Sequence, residues 1–131
     1  MNTELTSQIC TNREQSERLL TMGLKKETAD MHHYQYVCGG RWETAARPSI
    51  VGYNNRVVPA WSLNRLMELM PNLITHDNYQ LILGVNAKCV YYADDEYGET
   101  FKDFEGNLYE CVVKCIEWLI KEGYFNKDYL E

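Results

Sequence analysis

Tyr79-Gln80-Leu81-Ile82-Leu83-Gly84-Val85 and Lys88-Cys89-Val90-Tyr91-Tyr92-Ala93-Asp94, separated by Asn86-Ala87, decide the fold class. Both runs are rich in β-branched and aromatic residues, and the short polar step between them suits a tight antiparallel connection. Side chains alternate across a strand, so Tyr79, Leu81, Leu83 and Val85 share one face. Either Cys89 with Tyr91 or Val90 with Tyr92 meets the same core from the second strand, and the pattern leaves that register open. Such a hairpin needs a cover. Leu108 to Glu122 supplies it: Leu108, Cys111, Val112, Cys115, Ile116 and Leu119 fall within roughly 70° of one direction on a helix, with Glu110, Lys114, Glu117 and Lys121 opposite. Gly123 ends the helix.

Working outward, Ser62 caps a short helix from Leu63 to Met70, and Pro71 stops it. Ser49 to Tyr53 and Arg56 to Val58 flank Asn54-Asn55, a pair suited to a hairpin turn, and Pro59 keeps the second of these strands from a central position. His32 to Cys38, bounded by Gly39-Gly40, reads as a strand. Thr11-Asn12-Arg13-Glu14 reads as a capping box opening a helix from Asn12 to about Met22, closed by Gly23. Leu24 to Met31 suggests a further helical turn, and Asp94 to Asn107 an acidic connection. Strands joined by tight turns and interrupted by helices give an α+β class: a small, mostly antiparallel sheet with two or three helices packed on one face.

The 131 residues fit a single domain over 1–131, with 1–10 the segment open to fraying. At 45% hydrophobic and 24% charged, the composition is that of a globular chain able to bury a core. The longest apolar runs are too short to cross a bilayer, and Met1 to Gln8 lacks the basic-then-apolar pattern of a secretory signal. Five cysteines without framework spacing fit a reducing, cytoplasmic setting. The net charge of −6 disfavours nucleic acid as a partner. Residues 1–70 are nearly balanced, with eight basic and seven acidic side chains. Residues 71–131 carry five and twelve, and half of those twelve acids lie between Asp94 and Glu105.

Chemistry-bearing motifs are sparse. Cys111 and Cys115 share a helix face, but they sit at its apolar centre, where cysteine packs as a small hydrophobe; neither a metal nor a cofactor is implied. Aligning Gly98 with the glycine of a calcium-binding helical hand puts Ala93 and Phe104 at ligand positions, so that frame fails. Ser62 lacks a nucleophile-elbow setting and is explained by capping. Cys38 with His32 or His33 would make a thiol–base pair only if the chain folded back, since an extended strand separates His32 from Cys38 by about 20 Å. No catalytic residue is assigned. The segment 36–65 interleaves Arg41, Arg47 and Arg56 with Trp42 and Trp61, a set that could hold a phosphate and stack a base. The acidic loop from Asp94 to Glu105, with Asp94, Asp95, Glu96, Tyr97 and Glu99 foremost, supplies the candidate contacts for a protein partner.

Four segments, in order, carry a resemblance: Glu14-Gln15-Ser16-Glu17-Arg18-Leu19-Leu20, Glu27-Thr28-Ala29-Asp30-Met31, Val58-Pro59-Ala60-Trp61-Ser62-Leu63 leading into Leu66-Met67-Glu68-Leu69-Met70-Pro71, and Cys115-Ile116-Glu117-Trp118-Leu119-Ile120 followed by Gly123-Tyr124. The chain resembles small proteins of unassigned activity encoded by phages, prophages and mobile elements of gut bacteria. The resemblance implies a genomic setting and a cytoplasmic host, not a reaction. The reading is therefore a non-enzymatic module that binds a host or phage protein, with a homodimer also in view because the last helix is apolar over more than half its circumference. The alternative is a small-ligand or nucleotide binder built on the arginine–aromatic segment.

Overall fold

The computed structural model describes residues 8–36, 40–46, 56–86 and 88–131. Among these the order is α1 (Arg13–Thr21), β1 (Met31–Gln35), β2 (Glu43–Ala46), β3 (Arg56–Ala60), α2 (Leu63–Leu69), β4 (Leu73–His76), β5 (Tyr79–Asn86), β6 (Cys89–Asp94), β7 (Thr100–Glu105) and α3 (Leu108–Glu122), with short 3-10 turns at Lys26–Thr28 and Lys127–Tyr129. The class is α+β. The strands form two antiparallel sheets rather than one, ordered β2-β1-β3 and β4-β5-β6-β7 among the described residues. No helix here is long and apolar enough to cross a membrane.

The deciding hairpin takes the register in which Val90 lies opposite Val85 and Tyr92 opposite Leu83. Val90 and Tyr92 are fully buried, and the Tyr92 hydroxyl donates to the Pro71 carbonyl at 2.6 Å. Tyr91 therefore points to the other face, where its ring covers Gly84: a Cβ there would lie 2.2 Å from the ring. α3 lies across β6 and β7 and also meets α1 and α2. Its buried residues run from Tyr109 to Leu119. Part of the apolar circumference beyond one sheet face is covered within the chain: Tyr109 and Val113 are buried, and α1 and α2 pack against α3.

Three strands escape the sequence reading: β2, β4 and β7. β7 corrects the expectation of a connection from Asp94 to Asn107. Only Lys102 and Phe104 are half-buried, while Asp103 and Glu105 face water, so the acidic run conceals a two-residue alternation. The capping box also moves by one residue. Asn12 Oδ1 accepts from the Gln15 backbone N–H and Gln15 Oε1 from that of Asn12. Thr11 is buried instead, its hydroxyl meeting Ser16 and accepting from the Trp61 backbone N–H. α1 is tied to α3 by Arg18, which donates to Glu110 and Glu117. The turn expected over Leu24 to Met31 is confined to Lys26–Thr28, and β1 takes in Met31 and ends at Gln35. Ser62 caps α2, Gly23 (φ +102°) and Gly123 (φ +82°) take the left-handed region after α1 and α3, and among the described residues Pro59 lies in an edge strand. The strand expected at Ser49 to Tyr53, the Asn54-Asn55 turn and Cys38 lie outside the described residues.

Candidate functional site

The arginine–aromatic segment does not assemble among the described residues. Trp61 has no exposed surface; its indole N–H donates to the Thr28 hydroxyl at 2.9 Å. It is a core residue, because that pairing satisfies its only polar atom. Trp42 packs beneath the Arg13 guanidinium, 4.4 Å from the ring centre. Arg41 pairs with Glu43 at 3.0 Å, and Arg56 is exposed on β3 opposite Gln35. Arg47 lies outside the described residues.

The nucleophile candidates resolve differently. Ser62 donates to an oxygen of Asp30, and its backbone N–H to the other, so its nearest polar neighbour is a carboxylate, not a histidine. Cys10, which the sequence did not mark, lies 3.8 Å from His33 Nε2. That nitrogen is 2.7 Å from the Thr11 carbonyl, which can only accept, and His33 Nδ1 is 2.8 Å from the Thr44 hydroxyl. Nε2 thus carries a proton and has no lone pair to offer the thiol. Burial, with the charge of Asp30, pushes the Cys10 thiol up to about 11. The pair is not set up for nucleophilic catalysis.

The acidic turn is a defined structure. Asp94 Oδ1 accepts from the backbone N–H groups of Glu96 and Tyr97 at 2.7 and 3.1 Å, the Gly98 N–H donates to the Asp94 carbonyl, and the Asp95 N–H ties the turn to Gln80 on β5. Gly98 supplies the positive φ, +71°. The β4–β5 turn brings Asp77 to the same end of the sheet, since His76 pairs with Tyr79 and Leu81 with Asp94. Among the described residues no lysine or arginine pairs with Asp77, Asp94, Asp95, Glu96 or Glu99; His76 Nε2 lies 3.7 Å from Asp77. Three aromatic side chains are exposed among these carboxylates: Tyr97 at 72%, Tyr79 at 56% and Phe101 at 45%. The register shift between Tyr92 and Ala93 leaves Phe101 without a partner across the ladder, and its ring turns to His76, 4.5 Å between centroids. Two clefts flank the turn and share Tyr79 and Asp94. One, about 140 Å³, is walled by Tyr79, Leu81, Asp94, Glu99 and Phe101. The other, about 240 Å³, reaches Asp95 and Glu96. The sequence located four of the five carboxylates; it missed Asp77, and with it Tyr79 and Phe101, which only the strand pairing brings in.

The opposite end of the same sheet holds a broader cleft, about 930 Å³, where Asn86, Lys88, Cys89 and Glu105 face the start of α3. It brings together amides, one cation and one carboxylate without a common charge. Beside it, Cys89, Asp103 and Glu105 place ligand atoms within 4.8 Å of one another, and these are the described residues that could hold a metal. Cys89 and Glu105 are cross-strand partners, a proximity invisible while β7 reads as a loop. Cys111 and Cys115 are buried on α3, as their helix positions suggest.

No protein-family model matches the chain, and neither curated proteins nor solved structures give a significant match.

Proposed function

We propose that this protein is a non-enzymatic binding module that meets a basic protein partner through the acidic, aromatic end of its four-stranded sheet. One observation carries the reading: five carboxylates, from Asp77 to Glu99, converge there without a lysine or arginine partner among the described residues, around three exposed aromatic rings. Like charges held close repel one another, and a cationic partner relieves that repulsion while covering the rings. The genomic setting, an accessory factor of a phage or mobile element acting in a bacterial cytoplasm, rests on the resemblance of the four sequence segments alone.

The test is affinity capture from a bacterial lysate with the wild-type protein and with D95N/E96Q/E99Q side by side. These three side chains are exposed, so the variant is expected to keep the fold. The reading predicts a protein retained by the wild type, released by salt and lost with the variant. The same protein retained equally by both would refute it.

A further inference from the structure

Resting on that reading, we propose that the cleft between Tyr79 and Phe101 receives a single arginine side chain of the partner. Its size comes first. About 140 Å³ is below the roughly 300–1,000 Å³ of pockets that take whole small molecules, and it suits one side chain. The chemistry of its walls comes second. Tyr79 and Phe101 offer two aromatic surfaces, buried Leu81 is apolar, and Asp94 and Glu99 stand at the rim. Asp94 commits Oδ1 to the turn, and Oδ2 has no partner among the described residues; neither has the Glu99 carboxylate. Both charges are available to a guest.

Aromatic faces beside carboxylates select a planar cation. A guanidinium stacks on a ring and donates two parallel hydrogen bonds to one carboxylate, and it sheds water more readily than an ammonium. A neutral side chain would cover the carboxylates without replacing their water, and a phosphate would be repelled by them. One wall is set in advance. Phe101 packs against His76 and faces Trp118 at 6.3 Å between centroids, so little ordering is left for binding to accomplish.

The test uses ¹⁵N-labelled protein titrated with acetyl-Gly-Arg-Gly-amide and with the same peptide carrying citrulline, a neutral near-isostere. The arginine peptide is expected to shift the amide signals of residues 79–81 and 94–101 saturably, and the citrulline peptide to bind about tenfold more weakly. Y79L and E99Q, both at exposed positions, should each weaken the arginine peptide by roughly threefold or more. Equal responses to the two peptides, or shifts confined to the cleft at the start of α3, would overturn the proposal. If the peptides fail while D95N/E96Q/E99Q still loses the captured partner, the arginine receptor falls and the wider reading stands. If capture is also indifferent to the charges, both fall.

Discussion

Replacing Trp61 by Phe separates a core tryptophan from one held ready to stack on a ligand. The indole is fully enclosed and donates to the Thr28 hydroxyl, which in turn donates to the Lys25 carbonyl at 2.6 Å. Buried aromatic side chains cover roughly 150–250 Å² each, and we take about 50 Å² as the excess of the indole over the phenyl ring. At about 25 cal/mol per Å² that difference costs about 1.2 kcal/mol. The lost hydrogen bond adds about 1 kcal/mol, for a total of about 2 kcal/mol. T28V leaves the indole N–H buried without an acceptor, at about 1–3 kcal/mol. Because the two residues share one bond, W61F/T28V should fall short of the sum of the single changes by about 1 kcal/mol. Urea unfolding of the four proteins measures this, with unchanged m-values marking a change in stability alone. W61F within about 0.5 kcal/mol of the wild type would refute the assignment, since that is the range of surface substitutions.

Three further outcomes follow from the packing. G84A forces the Tyr91 ring off the sheet and should destabilise the protein by about 1 kcal/mol, whereas in a Y91A background the same change should be neutral or stabilising, because glycine is a poor strand residue; urea midpoints in the two backgrounds give the sign. The hydrogen bonds from Arg18, then Gln15, hold the Glu110 carboxyl below its ordinary range, so this contribution is present above the ordinary glutamate pKa and is lost as pH falls through the depressed one. With both side chains about a third exposed it should amount to less than about 1 kcal/mol, and E110Q should flatten that part of the acid titration of stability. Burial pushes the Cys115 thiol up to about 12, as it does Cys10 to about 11, so iodoacetamide should label half-buried Cys89 before either in the native protein; mass spectrometry that finds Cys10 modified as fast as Cys89 would contradict the packing.

The elements legible in the sequence are those whose pattern is local. α3 shows its face through six apolar residues at helical spacing, and α2 is bracketed by Ser62 and Pro71. β7 is hard to read because two of its acids face water, so a paired strand resembles a solvated loop. β2, with the sequence Glu43-Thr44-Ala45-Ala46, has little that favours a strand by itself and owes its state to pairing with β1. The capping box slipped by one residue because Thr11-x-x-Glu14 and Asn12-x-x-Gln15 both satisfy the pattern; the claim of Trp61 on Thr11 decides between them. The site divides the same way. The acidic turn is contiguous and was visible, while Asp77, Tyr79 and Phe101 join it through strand register and a bulge. The arginines and tryptophans of residues 36–65 are close in sequence, but those among the described residues are dispersed by the fold: Trp61 into the core, Trp42 onto Arg13, and Arg41 onto Glu43.

The most direct test of the account is hydrogen–deuterium exchange of the protein alone and in complex with the partner it captures. The account predicts slowed exchange in residues 79–81 and 94–101 on binding. It also predicts unchanged exchange at residues 88–89 and 105–109, around the broad cleft beside α3. Protection of that opposite end, with the acidic turn exchanging as in the free protein, would contradict it.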